Sequence, residues 1–160
     1  MSPTHLARDD VMERELYFAA VQDLAALPQS FSFPSKHFVA LFVADTTKVS
    51  DEALALFSRT LLRAGCSYFC AWGPGCERAH DLFDQECLFA PALIMTTWHA
   101  DESLDDAIWY FLRTTFPDAA FEETTSAAVA LVAGDIGWAA HVERRMRDIP
   151  SLSHDLLSRA

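Results

Sequence analysis

A cysteine and a histidine, each at the edge of a predicted element, are the residues best suited to chemistry. Cys76 opens a predicted helix directly after the turn WGPG, and His99 ends the segment TTWH. The first turn of a helix carries partial positive charge, which stabilises a thiolate. Imidazole titrates near neutrality, so His99 is a candidate general base, with Asp45 or Asp101 to orient it. Such a Cys–His pair predicts covalent catalysis, in a small hydrolase or acyl-transfer enzyme.

The same residues also have structural interpretations. Cysteine is among the most buried residue types, so Cys76 also fits as a small apolar residue under the sheet edge. Asp101 can instead cap a helix, and His99 can hydrogen-bond to a loop carbonyl. The sequence leaves both interpretations open.

The turn before Cys76 does not predict a nucleotide site. Gly73 and Gly75 would let the backbone approach a ligand, but Pro74 lies between them and Arg78 stands where a third glycine is needed. No Lys-Ser or Lys-Thr pair follows, as a phosphate-binding loop requires. A tight turn is the simpler interpretation, and no cofactor is predicted.

The helix after this turn carries polar side chains that are metal ligands in other proteins. Glu77 and His80 are three positions apart, and His80 and Asp84 are four apart, so they share one side of the helix. Further ligands would have to come from His99 and Asp101. No familiar ligand spacing appears, so a solvated acidic face is expected and no metal is predicted.

Dense negative charge and two aromatic residues favour a binding surface. From Glu77 to Glu123 there are eleven acidic residues and two arginines. Trp109 and Tyr110 fall off the apolar stripe of their predicted helix, which suits docking to a protein with a basic surface. The alternatives are that the acid maintains solubility, and that the two aromatics contact a neighbouring element of the same chain or form a homodimer contact. The predicted binding residues are Trp72, Gly73, Gly75, Glu77, His80, Thr97, Trp98, Asp105, Asp106, Trp109 and Tyr110.

Composition sets the class of protein. The 160 residues, 51% hydrophobic and 22% charged, predict one globular domain over residues 1–160. A net charge of -11 argues against nucleic acid or an anionic membrane as the partner. No run of 18 apolar residues and no secretory signal are present, so a cytoplasmic location is expected. The four cysteines lack a CxxC pair and are expected to be free thiols.

Alternating strand and helix patterns predict an α/β fold. An amphipathic helix is predicted over residues 9–27, ended by Pro28. The tail from Pro150 is compatible with a short helix or a loose segment. The predicted strands are 37–44, 67–72, 92–97 and 127–133. A helix is predicted after each strand. The first runs from its cap Ser50 to Gly65, the second over 76–86, the third from its cap Ser103 towards Pro117, and the fourth over 136–147.

Strands that alternate with helices pair in parallel through right-handed crossovers. Buried strands need helices on both faces, so we expect a three-layer α/β/α sandwich with a four-stranded parallel sheet in the order 2-1-3-4, flavodoxin- or Rossmann-like in layout. Ligands of such sheets bind at the carboxyl ends of the strands, where the winding reverses. This order would bring Cys76 and His99 together above Asp45.

The segment WGPGCERAHD at residues 72–81, the segment TTWH at 96–99 and the helix from Ser103 to Trp109 resemble an uncharacterised family of small bacterial proteins, a domain of unknown function. The likeness covers roughly residues 37–145. It implies a bacterial origin and one compact α/β domain, and it implies no catalytic role.

Acidity without a strong catalytic motif makes a non-enzymatic, cytoplasmic binding or regulatory protein the first functional prediction, of the inhibitor, immunity or adaptor type. The cysteine-dependent enzyme that uses Cys76 and His99 is the alternative.

Overall fold

A computed structural model describes residues 1–23, 27–28 and 30–159. The strands are β1 (Thr4–Asp9), β2 (Arg14–Val21), β3 (His37–Ala44), β4 (Cys66–Trp72), β5 (Met95–His99) and β6 (Thr125–Ala133). The helices are α1 (Asp51–Ala64), α2 (Cys76–Cys87), α3 (Leu104–Arg113), α4 (Ile136–Arg147) and α5 (Ile149–Ser158), and a short 3-10 helix spans Ala119–Phe121. Within the described ranges, no helix is long and apolar enough to cross a membrane.

The strands form one mixed sheet in the order β1-β2-β6-β3-β4-β5. Neighbouring strands are parallel except β1 and β2, which are antiparallel. The predicted four-stranded parallel sheet in the order 2-1-3-4 is therefore wrong in strand number, direction and order. The chain crosses back over the sheet after β5 rather than after β4, so β6 takes the place beside β3 that was expected for β5. The winding reverses between β3 and β6.

The predicted helix over residues 9–27 is also wrong, because β1 and β2 form a hairpin there. The carboxylate of Asp9 accepts a hydrogen bond from the N–H of Val11 at 3.1 Å, and Glu13 adopts a left-handed φ of 55°. β2 also pairs with β6, and the apolar residues 16–19 of β2 are buried. Residues 24–26 of the predicted helix lie outside the described residues.

β3 shows why an uninterrupted apolar run forms a central strand. Phe38 and Phe42 pack in the core layer that contains α1 and α2. Leu41 and Val43 point to the other face and pack in the layer that contains α3, α4 and α5. Both faces of the strand are covered by helices, so neither face needs polar residues.

The predicted ends of two helices are confirmed. Ser50 and Ser103 cap α1 and α3, each accepting a hydrogen bond from a backbone N–H three residues on. Gly65 ends α1 with a φ of 108°, and a Cβ there would lie 2.2 Å from the backbone oxygen of Lys36. Only glycine fits this position, where β4 begins beside the start of β3.

β5 begins three residues later than the predicted strand 92–97 and contains the whole segment TTWH. Side chains alternate along a strand, so its residues face two different layers. Thr96 and Trp98 contact His80 of α2. His99 lies on the opposite face, where its ring packs on Tyr110 of α3 at 4.6 Å.

The C-terminal tail forms helix α5, which settles the choice between a short helix and a loose segment. The guanidinium of Arg145 on α4 bonds to Asp105 of α3 and to Asp155 of α5, each at 2.8 Å. Arg145 is buried, so this ion-pair cluster holds three helices together beneath one face of the sheet.

Candidate functional site

A cleft of about 550 Å³ opens at the carboxyl ends of β4 and β5. The loops after β4 and β5, the first turn of α2 and one residue of α4 form its walls. The lining residues are Trp72, Gly73, Pro74, Gly75, Cys76, Glu77, His99, Ala100, Asp101, Glu102 and Trp138. Five of the predicted binding or catalytic residues beyond the glycines therefore meet here, namely Trp72, Cys76, Glu77, His99 and Asp101.

Two indoles form the aromatic part of the wall. Trp72 and Trp138 meet edge to face, with ring centroids 5.1 Å apart and planes at 85°. The indole N–H of Trp72 donates a hydrogen bond to the backbone oxygen of Glu102 at 2.9 Å. Trp72 is therefore held in place by Trp138 and by the backbone of Glu102, and it presents a fixed aromatic surface.

The glycines of the turn are required by close backbone packing. Gly73 has a φ of 113°, and a Cβ there would lie 2.2 Å from the backbone oxygen of Ala44. The backbone oxygen of Pro74 accepts a hydrogen bond from the N–H of Thr46 at 2.9 Å. The turn is thus fastened to the end of β3, which agrees with the interpretation as a tight turn.

Both ring nitrogens of His99 are engaged. Nδ1 lies 2.9 Å from a carboxylate oxygen of Glu102, and Nε2 lies 3.0 Å from the hydroxyl of Thr97. The side chain is 4% exposed. Glu102, rather than Asp45 or Asp101, is the carboxylate that orients this imidazole.

Cys76 reaches the same cleft from the other face of the sheet. It is 4% exposed and belongs to the core layer of α1 and α2, whereas the ring of His99 packs on α3. Burial raises the pKa of the Cys76 thiol, and the backbone amides of His99 and Glu77 only partly oppose this. Among the hydrogen bonds of the described residues, none joins this thiol to the imidazole.

The other two predicted catalytic residues lie apart from each other. Asp101 lines the cleft and is exposed, with a left-handed φ of 60°. Asp45 lines a smaller cavity of about 290 Å³, at the point where the winding reverses. Its carboxylate accepts hydrogen bonds from the hydroxyl and N–H of Thr47, at 2.6 and 3.0 Å, and these bonds lower its pKa.

His80, a predicted binding residue, does not line the cleft but lies on α2 against β5. Its ring nitrogens are 2.9 Å from the carboxylate of Asp81 and 2.9 Å from the hydroxyl of Thr96. The ring of Trp98 packs on it at 4.6 Å. Because His80 and His99 occupy opposite faces of β5, they cannot share one metal ion, and the described residues contain no group of three or more metal-ligating side chains.

The predicted docking face of α3 is largely used inside the molecule. Asp105 pairs with Arg145 and with His141, the latter at 2.6 Å. The hydroxyl of Tyr110 bonds to that of Tyr68 at 2.6 Å. The remaining two predicted residues of this face are Asp106, which accepts a hydrogen bond from the capping Ser103, and Trp109, whose ring lies 5.3 Å from the guanidinium of Arg113.

The cleft carries concentrated negative charge. Glu77, Asp101 and Glu102 contribute carboxylates, and none of the described residues that line it is lysine or arginine. Arg78 is close in sequence, but its guanidinium bonds to the carboxylate of Asp51 and to the backbone oxygen of Val49. The acidic residues of the cleft can be found from the sequence. The contact between Glu102 and His99 cannot, because it depends on the turn at Asp101 that brings Glu102 back towards His99.

Comparison with known proteins identifies a family but no activity. No curated protein and no solved structure matches the chain. A protein-family model matches residues 16–148, which include most of β2, the four strands that follow it and the whole cleft. The chain therefore belongs to the family described as a domain of unknown function, DUF7684.

Proposed function

We propose that this protein is a non-enzymatic, cytoplasmic binding or regulatory protein of a bacterium, of the inhibitor, immunity or adaptor type. It acts by taking a basic side chain of a protein partner into the cleft between the β4 and β5 loops. The observation that carries the proposal is a cleft of about 550 Å³ with three carboxylates, two indoles and, among its described lining residues, no lysine or arginine.

A cationic side chain complements each part of this cleft. The carboxylates of Glu77 and Asp101 are exposed and would form charge-assisted hydrogen bonds with a guanidinium or ammonium group. The indoles of Trp72 and Trp138 offer cation–π contacts, worth about 0.5–2 kcal/mol each. The cleft therefore favours a basic partner more strongly than the α3 face, where Asp105 is already neutralised by Arg145.

The cysteine enzyme has less support from the same geometry. A nucleophilic thiol needs access and a base within hydrogen-bond reach. Cys76 is buried and its pKa is raised, while the ring nitrogens of His99 are bonded to Thr97 and Glu102. A binding cleft uses the same residues without requiring a proton transfer between them.

The test is calorimetric titration with a blocked pentapeptide, GGRGG, and with the same peptide carrying uncharged citrulline. We expect saturable binding of the arginine peptide and about tenfold weaker binding of the citrulline peptide, because the lost charge is worth about 1.4 kcal/mol. The double substitution Glu77→Gln and Asp101→Asn should weaken arginine binding by a similar factor and flatten its salt dependence. Asparagine tolerates the left-handed backbone of residue 101, so the variant should fold.

Glu122→Gln with Glu123→Gln is the matched control, since it removes the same two charges from exposed positions outside the cleft. Affinity for the arginine peptide should then stay within about twofold of that of the unmodified protein. Equal binding of the two peptides, or equal loss in the control, would show that the cleft does not recognise a cation.

A further inference from the structure

We propose that a second cavity, at the amino-terminal edge of the sheet, binds a small carboxylate with an apolar body, of the kind represented by a short fatty acid. The cavity has a volume of about 580 Å³ and lies between the starts of β3 and β4, the end of α1 and the loop that leads to β5. It is at the opposite edge of the sheet from the cleft, so this inference does not rest on the proposed function.

The walls of this cavity are mostly apolar. Leu62, Ile94 and Phe121 line it, together with the buried Cys66. Phe89, at its edge, is 88% exposed, and the adjacent Leu88 is 81% exposed. Two adjacent, exposed apolar side chains beside an apolar cavity form the kind of patch that marks a ligand site, and a hydrocarbon chain would cover part of it.

The positive charge of Arg63 at the edge of the cavity favours an anionic ligand. Arg63 lines the cavity, is exposed and, among the described residues, has no carboxylate within 4.0 Å. The other arginine of the lining, Arg59, is already paired with Glu86 at 3.0 Å. One guanidinium is therefore free to bind an anion, in a protein whose net charge is -11.

A carboxylate suits this guanidinium better than other polar groups do. The fork of donors on arginine matches the two oxygens of a carboxylate, and the pair is strengthened by an apolar surrounding. Burial and the neighbouring Lys36 lower the pKa of His37, the third basic group of the lining, which favours the neutral imidazole. Arg63 is thus the group that would set affinity.

Octanoate and its uncharged counterpart octanamide are the probes, titrated into the full-length protein by calorimetry at concentrations below micelle formation. We expect one octanoate per chain, bound about tenfold more tightly than octanamide. Arg63→Gln should remove that preference, whereas Arg147→Gln should not, since Arg147 lies on α4 and pairs with Glu143 outside the cavity.

Ala90→Phe gives a steric test, because Ala90 lines the cavity and a phenyl ring would fill part of it. Octanoate binding should be lost in this variant, provided that circular dichroism shows the native fold; if it does not fold, Arg63→Gln decides. The variant with Glu77→Gln and Asp101→Asn should bind octanoate unchanged, so failure of the cleft and failure of the cavity are distinguishable. Absence of saturable octanoate binding, or equal binding by Arg63→Gln, would overturn the proposal.

Discussion

The two ends of the sheet differ in the charge and the polarity of the residues that line their cavities. At the carboxyl end, the cleft combines carboxylates with two indoles. At the amino end, the cavity combines apolar walls with Arg63, whose guanidinium pairs with no carboxylate of the described residues. The net charge of -11 describes neither of them, because it averages over the whole chain. The proposed cation site and the proposed anion site therefore lie at opposite ends of the sheet and have different lining residues.

Two glycines make the two ends comparable, and they give the largest expected effects. Gly73 and Gly65 each bring one end of β4 against β3, and a Cβ at either would lie 2.2 Å from a backbone oxygen. Both have left-handed φ values, 113° and 108°. Replacement by alanine should cost about 3 kcal/mol of unfolding free energy at each position, from backbone strain and displacement of β3. Urea denaturation measures both variants.

Gly137→Ala is the control for these two variants. Gly137 lies in α4, and the nearest neighbour of its added Cβ is a side-chain oxygen of Asp135 at 3.2 Å. The substitution should change stability by no more than about 1 kcal/mol, because the preference of helices for alanine over glycine is opposed by the close contact with Asp135. If all three variants were equally stable, the close approach of β4 to β3 would not contribute to the stability of the protein at either end of the sheet.

Each end also contains a buried thiol, Cys76 in the cleft and Cys66 in the cavity. Burial raises the pKa of both. We expect each to react with iodoacetamide at pH 7 about a hundredfold more slowly than a free thiol does, as measured by peptide mass spectrometry. A Cys76 that reacts as a thiolate at neutral pH would instead support the enzyme alternative and would set the cleft apart from the cavity.

A smaller difference in stability is expected between substitutions of two adjacent carboxylates, Asp105 and Asp106, near the acidic end of the sheet. Burial opposes ionisation of Asp105, but its hydrogen bonds to Arg145 and His141 prevail and lower its pKa. Asp105→Asn should cost about 2 kcal/mol at pH 7. Asp106, which is exposed, should lose no more than about 0.5 kcal/mol in the same change.

The pH dependence of this pair has a defined sign. Because its pKa in the folded state is below the ordinary carboxyl value, Asp105 contributes stability above about pH 4 that is lost as the pH falls further. The difference between the two variants should therefore shrink from pH 7 to pH 3 in urea denaturation. A constant difference would mean that Asp105 acts by packing rather than by charge.

Local signals in the sequence predicted much of the scaffold. The run HFVALFVA matches β3, and the predicted last helix matches α4. Ser50 and Ser103 cap helices because their hydroxyls satisfy N–H groups only a few residues away. Such features depend on neighbours in the chain and can be inferred without knowing the fold.

The features that depend on distant contacts were not predicted. The run LYFAAV in β2 fits both helical and strand spacing, and its pairing with β6, more than a hundred residues later, decides the matter. Strand order likewise depends on which face each helix covers. The link between Glu102 and His99 needs the left-handed turn at Asp101, which no spacing rule indicates.

The sheet ends in two edge strands, β1 on one side and β5 on the other. On β5, the apolar side chains of Met95 and Trp98 are exposed, at 37% and 44%. An open strand with apolar side chains is a template on which a second molecule can add its own strand and aggregate. We expect the exposed carboxylates near this strand, including Asp84 and Asp101, to oppose such pairing between two copies at neutral pH by electrostatic repulsion.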